Sequence, residues 1–155
     1  MRIRDILKDS AIVVGLKAET KKAVLEEMVQ ILVDQGAVTD RQKMLEVLLA
    51  RESLGSTGIG QGIAIPHGKA SCAKELTAVC GVSRAGVDFD ALDDDKVIVL
   101  FLLIAPEDQA SAHLKALARV SALLKDKYFR KALISAEATA DVLRVLDQEE
   151  KGRKA

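Results

Sequence analysis

The chain has 155 residues, the size of one ordinary domain, and its 49% hydrophobic content suffices for a sizeable core. Twenty-three basic side chains balance 23 acidic ones, so the formal net charge is zero with His neutral. That balance argues against a general nucleic-acid or polyanion binder.

The start of the chain holds no apolar run of signal-peptide type, and Val97–Ala105 falls short of the about 20 residues a membrane-spanning helix needs. A cytoplasmic protein without membrane insertion is expected. Cys72 and Cys80 lack CxxC spacing and are expected as reduced, partly buried thiols. In chain order, Ile12–Val14 is β-branched and predicts a short strand. Thr20 reads as a helix N-cap; Val24, Leu25, Met28, Val29 and Leu32 follow at helical spacing, and Gly36 is the stop. Thr39 or Asp40 caps a second helix through Met44, Leu45, Leu48 and Leu49, ending near Arg51. A glycine-rich loop comes next, then strands at Ile63–Ile65 and Leu76–Ser83. The turn-rich VDFDALDDD leads to Val97–Ala105, a central strand buried on both faces and stopped by Pro106.

Asp108 or Ser111 caps a long helix through Leu114, Leu117, Val120, Leu123 and Leu124. KYFRKALIS and ATADVLRVLDQ are two shorter helical segments. Strands alternating with helices predict an α/β sandwich, and the short links predict a mixed β-sheet flanked by helices. A single domain is expected over residues 1–148, with a charged, frayed tail over 149–155.

The loop GSTGIGQGIAIPHGK, residues 55–69, concentrates five of the ten glycines, one of two prolines and one of two histidines. Bare backbone lets N–H groups approach an anion. The nucleotide motifs nevertheless fail: Gln61-Gly62 stands where a P-loop needs Lys-Ser/Thr, and Ile63 stands where a dinucleotide loop needs its third glycine. Taken alone, the glycines are equally a tight turn. His67 shifts the balance. Pro66 cannot donate to a ladder, so it is read as ending the strand and presenting His67 at a sheet end, where ligands gather in α/β folds. A neutral imidazole there is a usable nucleophile, with loop N–H groups as a cradle for a phosphoryl group. The carboxylates Asp88, Asp90, Asp93, Asp94 and Asp95 lack EF-hand spacing and read as a solvated turn, and no zinc spacing exists.

ESLGSTGIGQGIAIPHG, residues 52–68, resembles the phosphorylation-site motif of the fructose/mannitol-type IIA domains (EIIA type 2) of the bacterial phosphoenolpyruvate-dependent phosphotransferase system. Glu52, Ile59, Gly60, Ile63, Ala64, Ile65, Pro66, His67 and Gly68 fill the motif's constrained positions. Residues 88–126 also resemble the family's acidic turn, central strand and second-histidine helix, and the similarity extends over roughly residues 3–148. PHGK and the stand-alone length lean toward the nitrogen-regulatory branch.

The resemblance implies a phosphotransferase component: His67 accepts a phosphoryl group from an HPr-type phosphohistidine carrier. It either passes the group to a cysteine of a IIB domain or uses it to gate binding to regulatory target proteins. Neither cofactor nor metal is expected. His113 matches the second active-site histidine; near a helix N-terminus it is read as a neutral hydrogen-bond donor to the phosphoryl group, or else as a packed residue in a stripe with Leu117, Val120 and Leu124. Arg51 matches an arginine near the site, either pairing with phosphoryl oxygens or satisfying helix C-terminal carbonyls. Ser56 and Thr57 are hydroxyl donors or turn residues, with Gly58 and Gly60 beside them. Glu52 orients a histidine or the loop. An apolar docking rim is expected from Ile59, Ile63 and Ile65, unless these are core.

Overall fold

A computed structural model describes residues 2–152 of the chain. Two single-turn 3-10 segments, Ile3–Asp5 and Asp9–Ala11, lead into strand β1, Ile12–Val14. Helix α1, Lys21–Asp34, starts where Thr20 Oγ1 accepts from the Ala23 amide at 3.3 Å. It is followed by Gly36 at φ +73°, a left-handed turn that a side chain would strain. Of the two candidate caps for α2, Arg41–Ser53, Asp40 is the one that accepts, from the Lys43 amide at 3.1 Å.

The glycine loop is itself part of the sheet. Strands β2, Gly58–Gly60, and β3, Ile63–Ala64, pair as an antiparallel hairpin. Its two turn residues, Gln61 and Gly62, have φ of +62° and +79°, the positive pair that a type I′ hairpin requires.

Pro66 breaks the expected strand rather than ending it. It has no N–H for the ladder, yet its carbonyl accepts from the Leu103 amide at 3.0 Å. The chain then re-enters the sheet as β4, His67–Lys69. Strand β5 spans Thr77–Val87, longer than predicted, with a register shift between Val82 and Val87. Strand β6 covers Val97–Ala105, as its unbroken apolar run predicts. It lies antiparallel to β5 on one side and parallel to β3 and β4 on the other, with β1 parallel to β5 beyond. The sheet is therefore mixed, as expected.

Helix α3, Ala110–Leu124, begins at Gln109 without a side-chain cap. Asp108 lies one position too early and Ser111 falls inside the first turn, so neither expected cap is in place. Helix α4, Lys127–Ile134, is capped by Asp126, which accepts from the Tyr128 and Phe129 amides. Helix α5, Thr139–Gly152, runs through the expected boundary at 148. Glu150 is buried, pairs with Arg119 at 3.1 Å and accepts from the Arg4 amide, which fixes this last turn rather than letting it fray. Residues 153–155 of the expected tail lie outside the described residues.

Cys72 and Cys80 are buried and unbonded. Burial pushes the Cys80 thiol up to about 12 and raises Cys72 as well. Among the described residues no helix is long and apolar enough to cross a membrane.

One packing detail positions the site. A Cβ on Gly68 would come within 2.9 Å of Val47 Cγ1 and 3.3 Å of Leu48 Cδ2, so the glycine lets α2 approach β4 closely. Side chains alternate along a strand, so His67 and Lys69 project to the other side of β4, toward α3.

Candidate functional site

His67 opens into a cleft of about 570 Å³ at this sheet edge. Val47, Ala50, Arg51 and Leu54 from α2 and its C-terminus line one wall; Ala110, His113, Leu114 and Leu117 from α3 line the other. Gly68 and Lys69 complete it. A smaller hollow of about 260 Å³ joins His67 and Arg51 to Ser56, Thr57 and Ile59.

His67 Nδ1 lies 2.8 Å from the Ile65 carbonyl oxygen. A carbonyl oxygen can only accept, so Nδ1 carries the hydrogen. Nε2 then holds the lone pair and is the ring nitrogen free to form a bond. The same carbonyl favours the positive charge the ring gains when Nε2 forms a bond, as in a nucleophile oriented by a neighbouring acceptor.

The His113 ring stands with its centroid 5.8 Å from that of His67, tilted by 47°. It is the fourth residue of α3 and is buried, so the two expected histidines do meet. Burial holds His113 below the ordinary histidine range. Proximity to His67 and Lys69 adds to that effect, and the Leu103 carbonyl opposes it.

Arg51 is tied to the turn just past its own helix and also lines the cleft. Its Nη1 donates to the Gly55 carbonyl at 2.8 Å, and its guanidinium still lines the cleft beside His67. Glu52 orients the loop rather than a histidine. Its buried carboxylate accepts from the Thr57 amide at 3.1 Å and from the Thr57 hydroxyl, and pairs with Lys21 at 3.4 Å. Lys21 also reaches Asp90 at 3.4 Å and lies over the Phe89 ring.

The glycine loop is not an open phosphate cradle. Thr57 N–H goes to Glu52, Gly58 N–H to Ser56 Oγ, and Gln61 N–H to Asp93. The Ser56 hydroxyl donates to the Phe89 carbonyl at 2.7 Å, and the Thr57 hydroxyl to Glu52. Both hydroxyls therefore hold the loop. Gly58 packs against Ala91, and Gly60, at φ +88°, enters the hairpin turn. The acidic turn anchors the loop, since Asp93 accepts from both Gln61 and Asp95. These backbone donors hold Asp93 below its usual range. Among the described residues no group of three or more His, Cys, Asp or Glu is placed to hold a metal.

The apolar rim differs from expectation. Ile63 and Ile65 are buried, while Ile59 is 47% exposed. Leu54 at 84% and Leu114 at 68% are the exposed members that the sequence reading missed. Lys69 was missed as a site residue too; the signal was its place two residues beyond His67, on the same side of an extended strand.

Comparison with known proteins finds relatives along nearly the whole chain. Residues 5–149 match the family model "Phosphoenolpyruvate-dependent sugar phosphotransferase system, EIIA 2". A nitrogen regulatory protein of Pseudomonas aeruginosa is 40% identical over 92% of each chain. The fructose-specific EIIABC component of Bacillus subtilis is 37% identical over 97% of this chain, which spans only 24% of that protein's length. The crystal structure of the nitrogen regulatory protein IIA-Ntr from Neisseria meningitidis superposes with a TM-score of 0.85 at 35% identity, covering 93% of this chain and 98% of that one. The family model spans nearly the whole chain, and the histidine pair lies within it: the protein belongs to the EIIA type 2 family of the phosphoenolpyruvate-dependent phosphotransferase system.

Proposed function

We propose that this chain is a phosphohistidine carrier, taking a phosphoryl group onto His67 from the phosphohistidine of an HPr-type protein. The observation that carries this is the Nδ1 contact with Ile65, which leaves a lone pair on Nε2 in an open cleft. In the transfer, the Nε2 lone pair bonds to phosphorus as the donor's N–P bond breaks, and the donor imidazole leaves with those electrons. The Nδ1 hydrogen stays on His67 against the Ile65 carbonyl. Arg51 and Lys69 bring positive charge to the phosphoryl oxygens, so the chain contributes positioning and charge stabilisation. The apolar walls of the cleft suit a docked protein donor.

The role is regulatory in this reading. The Pseudomonas and Neisseria relatives match this chain over nearly their full lengths, and both are named nitrogen regulatory proteins. Phosphorylation adds up to about two negative charges beside an apolar rim, enough to reverse a docking preference. A second reading is a sugar-transport IIA that passes the group to a IIB cysteine, favoured by the fructose-specific Bacillus relative.

The test is transfer of labelled phosphate from phosphoenolpyruvate through Enzyme I and an HPr-type carrier, onto the wild type and His67→Ala. Acid-labile label on the wild type alone is expected. Absence of label with active carriers sinks the reading. Adding a IIB protein then separates the branches: rapid loss of label to its cysteine supports transport.

A further inference from the structure

His113 carries an uncommitted nitrogen. Nε2 is buried without a hydrogen-bond partner, while the ring meets the Leu103 carbonyl. A buried polar atom without a partner is uncommon and calls for an explanation. With Nε2 unpartnered, the Leu103 contact is assigned to Nδ1, which then carries the hydrogen because a carbonyl oxygen only accepts. Neutral imidazole has one N–H, so Nε2 is left with a lone pair.

A phosphoryl oxygen is also only an acceptor, and a lone pair set against it repels. Moving the hydrogen to Nε2 would put the Nδ1 lone pair against Leu103, the same repulsion at the other end. Both contacts become favourable only when the ring holds two hydrogens.

The surroundings support a switch. The charged groups facing the ring are Lys69 from β4 and Arg51 from α2, with His67 as the other titratable group. Strand β6 beneath is wholly apolar. On α3, Arg119 is paired with Glu150 and Lys115 is exposed. From the 3-10 segment, Arg4 is tied to Asp9 and Asp147. Helix α4 meets the far end of α3, where Asp126 caps it and Arg130 holds α3 carbonyls. No carboxylate among the described residues lines the cleft with His113. Its surroundings thus favour the neutral ring until a phosphoryl group, whose doubly negative oxygens outweigh the positive charge its bond leaves on the His67 ring, arrives beside it.

We propose that phosphorylation of His67 is coupled to uptake of one proton on His113 Nε2, so that an imidazolium present only in the phosphorylated protein holds the phosphoryl group. This rests on the phosphocarrier reading. The phosphoryl group moves between nitrogens as described above; the additional proton comes from solvent and returns there on onward transfer. Between the proton affinities of the two states, the phosphorylation equilibrium shifts about tenfold per pH unit, toward the phosphoprotein at lower pH.

The experiment is nitrogen-15 NMR of the imidazoles in the full chain, with and without phosphoenolpyruvate, Enzyme I and the carrier, between pH 5.5 and 8.5. His113 is expected neutral with hydrogen on Nδ1 in the free protein at pH 7, and doubly protonated in the phosphorylated one. A phosphorylated His67 beside a neutral His113 overturns this proposal and leaves the phosphocarrier intact. Absence of a phosphoryl group on His67 overturns both. His113→Gln supplies a donor that does not titrate. The ratio of wild-type to variant phosphorylation constants is expected to change with pH, and a ratio flat across the range also overturns the proposal.

Discussion

His67 Nδ1 and the carbonyl oxygen of Ile65 lie 2.8 Å apart, two residues along the same chain across Pro66. Proline fixes its own φ, so this short segment holds the ring by backbone alone. The contact predicts the site of chemistry. Nitrogen-15 and phosphorus-31 NMR of the phosphorylated protein should find the N–P bond at Nε2 and the hydrogen at Nδ1. His67→Gln should lose acid-labile label to background while its unfolding free energy changes by about 1 kcal/mol or less, since His67 is only half-buried. A phosphoryl group on Nδ1 would refute the orientation argued for the ring.

Glu52 is the internal anchor of the glycine loop. Removing it leaves the Thr57 amide, the Thr57 hydroxyl and the Lys21 ammonium without their shared acceptor in a buried setting. Glu52→Ala should cost about 2–3 kcal/mol in urea unfolding, the range for losing hydrogen bonds to a charged group. Thr57→Val removes one donor and should cost about 1 kcal/mol. Equal costs for the two variants would show that the Thr57 amide and Lys21 add nothing.

Much of this was legible in the sequence because it is periodic or capped. Val97–Ala105 is an unbroken apolar run, and only a strand covered on both faces accommodates one. Thr20 and Asp40 precede apolar residues at helical spacing and cap as expected. The motif marked His67 and the resemblance of residues 88–126 marked His113, and the fold places their rings together. What stayed hidden depends on contacts distant in sequence or on backbone. The Ser56 hydroxyl is committed to Phe89, 33 residues away. The loop amides look free in sequence, but Glu52 and Asp93 claim them. Pro66 reads as a terminator because its missing N–H is local, whereas the Leu103 amide that its carbonyl receives is not.

Leu114 is 68% exposed on the rim of the cleft, one residue beyond the buried His113. A large apolar side chain left in water beside a reactive group is suited to a partner's surface. Leu114→Asp should raise the KM for the phosphorylated carrier about tenfold or more, with kcat nearly unchanged. Stability should move by no more than about 0.5 kcal/mol, because an exposed position gives up little packing. A change in kcat at constant KM would instead assign Leu114 to the transfer step.

Burial holds His113 below the ordinary histidine value of 6.5, and this has a consequence for the unphosphorylated protein. Below about pH 6.5 the unfolded chain takes up a proton at this position while the folded chain still resists it. The unfolded state then binds more protons, so stability rises with pH across this window and is lost as pH falls through it. Thermal melts between pH 7.5 and 5 should therefore show the wild type losing Tm faster than His113→Gln, whose side chain does not titrate. The wild-type minus variant difference should shrink steadily on acidification below pH 6.5. A constant difference would mean that folding leaves the proton affinity of His113 unchanged, and the buried Nε2 would then be exchanging with solvent as freely as in the unfolded chain.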